Sequence, residues 1–126
     1  MDSFEKLIEI VKILRSPDGC DWDKEQTHES LTPYLLEETH EVIEAIDNKD
    51  YNALKEELGD LLLHVIFQAD LASEKNKFSI EDSINAINKK LVERHPHIFE
   101  DKGKKTSQKA NWEYQKQKEK KRNSIL

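Results

Sequence analysis

A chain of 126 residues with 37% charged and 36% hydrophobic residues, only three Gly and three Pro, and a net charge of −6 has the size of one domain with a real but small core. That balance suits a helical protein with solvated faces and requires no sheet. The acidic sum argues against nucleic acid as a general partner; no signal peptide or membrane-length apolar run is evident, and Cys20 as the lone cysteine excludes an internal disulfide, so a cytoplasmic location is expected.

Phe4, Leu7, Ile8, Val11 and Leu14 recur at helical spacing and predict a first amphipathic helix, ended by Ser16-Pro17-Asp18-Gly19. Cys20 to His28 has no periodicity and reads as a polar loop. Trp22 within it either plugs the end of the core or belongs to a functional loop. Thr32-Pro33 reads as N-cap and first helical residue of a second helix running to about Ile46. Asp47-Asn48-Lys49-Asp50 is a cluster of turn formers, after which a third helix runs to about Ser73. That helix is apolar nearly all round from Leu58 to Leu71, which places it at a bundle centre, and Gly59 inside it implies a close approach of backbone or ligand. Ser79 and Asp82 make a capping-box-like start to a fourth helix, marked by Ile80, Ile84, Ile87 and Leu91 and stopped near His95 by Pro96. Residues 107–122 are expected to form a last, largely exposed helix. The expected fold is therefore all-α: an antiparallel bundle of about four core helices plus a C-terminal helix, with a helical core over 1–101 and a basic tail over 102–126. In that tail Lys102 to Arg122 carries nine Lys and Arg against Glu113 and Glu119, a net charge of +7.

The second and third helices carry the chemistry. Glu38 and Glu41 lie three residues apart on one, Glu57 and Asp60 three apart on the other, so each pair occupies one face, one turn apart. In an antiparallel hairpin, residues at one level have numbers with a constant sum, and both 38 with 60 and 41 with 57 give 98. The four carboxylates are thus expected to meet as a square. From Tyr34 to Ala72 ten acids face only Lys49 and Lys55, a net charge of −8, so a cation must offset the repulsion. Oxygen-only ligands select a hard ion, Mg²⁺ or Mn²⁺, over zinc. Lys90 and Arg94 share a face of the fourth helix, which by itself is most simply a solvated face. His64 stands level with Tyr34 and reads as a satisfied core histidine.

These motifs, with WDKEQTHESL (Trp22 to Leu31), YLLEETHEVIEAI (Tyr34 to Ile46), EELGDLLLHV (Glu56 to Val65) and KLVERHPHIF (Lys90 to Phe99) in that order, make the chain resemble the MazG family of nucleoside triphosphate pyrophosphohydrolases over nearly its whole length. The resemblance implies Mg²⁺-dependent hydrolysis of an NTP or dNTP between the α and β phosphates, releasing a nucleoside monophosphate and pyrophosphate, in the service of nucleotide-pool housekeeping. It makes Glu38, Glu41, Glu57 and Asp60 the metal ligands, gives Lys90 and Arg94 the phosphates in place of a solvated face, and puts Trp112 near the base. Trp22 joins them as a substrate-binding residue of the loop, and Glu37 and Glu41 are the candidates for general base. Two departures stand out: the family usually has Cys-Pro-Trp-Asp where this chain has Asp21 before Trp22, and many members carry two copies of the domain where this has one. Functions shared between copies must then come from self-association, and a homodimer or higher homo-oligomer is expected. Two other classes compete: a di-iron carboxylate bundle, which expects Glu-x-x-His pairs absent here, and a non-enzymatic helical metal-binding or adaptor protein, which leaves the inward acids without a purpose.

Overall fold

The computed structural model describes residues 1–100 and 116–120, and every described element is helical: α1 (Ser3–Leu14), α2 (Asp21–Glu25), α3 (Thr32–Asp47), α4 (Tyr51–Glu74), α5 (Ile80–Arg94), α6 (Pro96–Phe99) and a turn of helix at residues 116–120. The all-α class follows the helical periodicity. No described helix is long and apolar enough to cross a membrane. The chain divides into two compact parts, Met1–Ile80 and Glu81–Leu126.

In the first part α1 and α3 both pack on α4. Val11, Leu31, Ile66, Phe67 and Leu71 form the buried core, with Phe4, Leu7, Ile8, Leu63 and Ile80 packed against it. The periodicity of α1 therefore faces α4 as its spacing requires, and Asp2 caps the helix by accepting from Glu5 N at 2.7 Å. Gly19 closes the α1 end because a side chain there would run into the carbonyl oxygens of Leu14 and Ile13, at 2.2 and 2.4 Å.

The α3–α4 hairpin turns on a Schellman motif. Asp50 N donates to Ala45 O at 3.0 Å and Lys49 N to Ile46 O at 3.1 Å, with Lys49 left-handed at φ 54°. Asp50 then starts α4 by accepting from Ala53 N at 3.1 Å. The end of α4 repeats the motif with Asn76 at φ 56° and Lys77 N on Ala72 O at 3.0 Å. Asn tolerates that backbone; Lys gains nothing from it.

Four expectations need correction. The loop from Cys20 to His28 contains the short helix α2, and Trp22 is 48% exposed, so it does not plug the core. Thr32 is already helical, and the cap position falls to Leu31 with no side-chain bond. Helix α4 is buried on one side only: Ile66, Phe67, Ala69, Leu71 and Ala72 are inside, but Leu58, Leu62 and Val65 are exposed. Gly59 has nothing within 4 Å of where a Cβ would stand, so no close approach among the described residues explains it.

Arg15 was invisible to pattern reading. Its side chain is buried, with Nη1 donating to Asp70 Oδ2 at 3.1 Å and to Glu74, Nε donating to Asp23 O at 3.2 Å, and the guanidinium 5.2 Å from the centre of the Phe67 ring. One side chain thus ties the end of α1 and all of α2 to α4.

In the second part Pro96 ends α5 as expected and opens α6. Arg94 and Glu119 are both buried and form an ion pair, which anchors the helical turn at 116–120 to α5. Trp112 and the rest of the expected C-terminal helix, apart from residues 116–120, lie outside the described residues.

Candidate metal centre

Helices α3 and α4 bring three of the four expected carboxylates together. Glu38, Glu41 and Glu57 each offer an oxygen, all within 4.8 Å of one another, and each residue is half-buried. The antiparallel register accounts for this. Glu41 faces Glu57, and the same cleft is lined below them by Ala45 and Ala53, another level pair, and by Glu44, Asn48 and Asp50. The small alanines let the helices approach just beneath the acids.

Asp60 is exposed and stands outside the close group of three, at its edge. Its charge is nonetheless felt there, since it raises the pKa of both Glu38 and Glu57. The expected square is a triangle with a fourth charge beside it.

The electrostatics record the crowding. The hydrogen bond with Glu41, then burial, then the charges of Glu41, Asp60 and Glu38 push the Glu57 carboxyl up to about 7. Burial and the charges of Glu41 and Asp60 also raise Glu38, although a hydrogen bond with Glu57 works the other way. The Glu57 carboxyl, bonded to Glu41, is therefore partly protonated near neutrality. No Lys or Arg among the described residues pairs with any of these acids. One oxygen of Glu38 and one of Glu57 are buried without a hydrogen-bond partner among the described residues. Buried carboxylate oxygens left unbonded cost free energy unless something positive meets them, and an all-oxygen donor set of this size fits a hard divalent ion.

The remaining candidates fall in different places. Glu37 is exposed, next to the cluster, and adds a small upward push on Glu38. Trp22 meets Tyr34 edge to face, with ring centroids 5.8 Å apart. Lys90 is half-buried on α5, and Arg94 is engaged with Glu119. His64 is not the satisfied core histidine of the first reading, because its Nδ1 is buried with no partner among the described residues. Burial lowers its pKa against the opposing pull of Asp60.

Comparison with known proteins identifies the family. The family model of the MazG nucleotide pyrophosphohydrolase domain matches residues 26–99, which include α3, α4 and α5. A Thermotoga maritima protein named nucleoside triphosphate pyrophosphohydrolase/pyrophosphatase MazG is 58% identical over 98 residues, covering 78% of this chain and 38% of its own length. The nucleoside triphosphate pyrophosphohydrolase of Escherichia coli K12 is 46% identical over 116 residues, covering 90% of this chain and 44% of its own. The chain thus spans less than half the length of these two relatives. A crystal structure of a mazG-related protein from Thermotoga maritima superimposes with a TM-score of 0.70 at 30% identity, over 90% of this chain and 98% of that one.

Proposed function

The chain belongs to the MazG nucleotide pyrophosphohydrolase family, and from that premise we propose that it hydrolyses nucleoside triphosphates, NTP or dNTP, to a monophosphate and pyrophosphate with Mg²⁺ as cofactor, residues 1–126 acting as one domain. The observation that carries this reading is the trio Glu38, Glu41 and Glu57, with oxygens within 4.8 Å and two of them buried and unpartnered. Such a cluster is costly in a protein that has no cation to bind.

Glu38, Glu41, Glu57 and Asp60 would hold the ion. When bound, it offsets the charge of the triphosphate and lowers the pKa of water. The chain's own part is to orient and to move protons. Glu41, hydrogen-bonded to Glu57, is one candidate base for the attacking water, and Glu37, exposed beside the cluster, is the other. Lys90 and Arg94 are the phosphate contacts, and Trp22 and Trp112 flank the nucleoside. The support for Lys90 and Arg94 is the family match, which covers them; Trp22 and Trp112 lie outside the matched residues and rest on the sequence resemblance alone.

We also propose a homodimer in which a second copy covers Leu58, Leu62 and Val65. These residues recur at i, i+4 and i+7 along α4, are 39–48% exposed, and flank the open position of Gly59. An apolar stripe of this kind on a catalytic helix is costly in water and suits helix-on-helix packing. A cytoplasmic role in nucleotide-pool housekeeping completes the reading. The decisive experiment incubates the protein with each canonical NTP and dNTP, with Mg²⁺ or with chelator, and follows monophosphate and pyrophosphate. Release that stops on chelation is expected, and its absence from every nucleotide in a folded sample overturns the proposal.

A further inference from the structure

Trp22 and Tyr34 are not core residues. Their planes stand at 82°, and they are 48% and 43% exposed. Two half-exposed rings at nearly a right angle form a corner that takes a third flat ring well, since it can stack on one wall and meet the edge of the other. The corner is also fixed in place. Gln26 Nε2 donates to Trp22 O at 2.9 Å, and buried Arg15 holds the adjacent carbonyl of Asp23 at 3.2 Å. Tyr34 belongs to the first turn of α3. It precedes Glu38 by four residues, which puts it on the same face, about 6 Å along the axis. The antiparallel register brings His64, with its unpartnered buried Nδ1, to the level of Tyr34.

The hairpin leaves the carboxylates in two directions. Toward the turn lie Glu44, Asn48 and Asp50 in the acidic cleft, whose lining holds no aromatic side chain, with further charge hostile to phosphate; Tyr51 at that end is a single ring, 79% exposed. Toward the start of α3 lie Tyr34 and Trp22. Cleavage at the α phosphorus places ribose and base one nucleoside length from the carboxylates, and the second direction offers that nucleoside two half-exposed rings set against each other. We infer that Tyr34 is a specificity-determining residue, forming with Trp22 the seat of the nucleobase, so that base, ribose and α phosphate follow one another along α3 from Tyr34 to Glu41. This rests on the pyrophosphohydrolase reading above. A seat that recognises flat area tolerates every base and ranks purines above pyrimidines.

The test measures binding without turnover. With Mg²⁺ present, the dissociation constants of uncleavable α,β-methylene analogues of ATP and CTP, and of inorganic tripolyphosphate, are determined by calorimetry for the unaltered chain, Tyr34→Ala and Tyr34→Phe. Tyr34→Ala is expected to weaken the ATP analogue about tenfold and the CTP analogue less, in line with loss of one stacking wall. Tyr34→Phe should stay within about twofold for both, and tripolyphosphate, which has no base, should bind all three alike. Unchanged nucleotide binding in Tyr34→Ala, an equal loss for tripolyphosphate, or a Tyr34→Phe as weak as Tyr34→Ala each overturns the inference. If the unaltered chain binds the analogues but cleaves no natural nucleotide, the hydrolase reading fails while the base seat stands.

Discussion

Binding of Mg²⁺ should expel protons, in an amount set by the crowded carboxylates. Glu57 is held at about 7 by the hydrogen bond with Glu41, by burial and by neighbouring charge. A carboxyl with that pKa is half protonated at pH 7, so ion binding must release about 0.5 proton there, about 0.9 at pH 6 and about 0.1 at pH 8. Glu38, raised by burial and the charge of Glu41, adds to the release on the acid side. The apparent affinity for Mg²⁺ should accordingly fall about tenfold per pH unit below 7 and level off above it. Calorimetric titration in two buffers of different ionisation enthalpy gives the proton count directly. Zero release at pH 6, with equal affinity at pH 6 and 8, would refute the assignment of Glu57 to the ion. The same group fixes a sign for stability. Its folded pKa lies above the unfolded value of 4.5, so the stability it contributes is fully present below pH 4.5 and is lost as pH rises through 7. The metal-free protein should therefore melt lower at pH 8 than at pH 5.5 as far as this site is concerned, and Mg²⁺ should restore the loss at pH 8.

Four further outcomes follow from the same structure. Glu38→Gln and Asp60→Asn should each lower turnover about a hundredfold or more, while raising the melting temperature of the metal-free protein; wild-type rates in either variant would exclude that residue from the site. Arg15→Ala strands Asp70 and unfastens α2, and should cost about 3 kcal/mol in urea unfolding; a loss under about 1 kcal/mol would make the cluster a mere surface contact. Lys49→Gly removes the left-handed strain of the hairpin turn and should gain about 0.5–1 kcal/mol after the added entropy of the unfolded chain, with a smaller gain for Asn76→Gly. Leu62→Glu should shift the sedimentation coefficient to that of a monomer without loss of helix signal, and an unchanged coefficient would place the interface elsewhere.

The parts of the fold that could be read beforehand are those whose cause is local. The i, i+3, i+4 spacing of α1, the turn formers at 47–50 and the acid spacing together dictate a hairpin with Glu41 opposite Glu57, and the structure has it. Asp60 escaped because the level rule places backbones and not rotamers; its side chain stays in water while three others converge. Helix α2 escaped because five residues without periodicity carry no helical signal, and Arg15, 55 residues from Asp70, supplies the anchor instead. The pairing of Arg94 with Glu119 likewise spans 25 residues and has no trace in local pattern. A helical glycine usually marks a close approach, but Gly59 has open space where a Cβ would stand, and the chain's own pattern does not show what a second copy would bring there.

The turn at Lys49 has a consequence for how the protein comes together. The converging acids lie within 20 consecutive residues, from Glu38 to Glu57, and their juxtaposition depends on closing a three-residue connection, the fastest kind of encounter a chain makes. The cluster can therefore assemble in a hairpin whose partner α1 has not yet docked, and a divalent ion present during refolding would act on the folding rate as well as on the equilibrium, as expected of an interaction already formed in the transition state. Conversely, one residue inserted at 48–50 would turn α4 by about 100° relative to α3 and separate the carboxylates while sparing nearly every hydrogen bond within each helix. The length of that connection is as strict a requirement of the site as the identity of its acids.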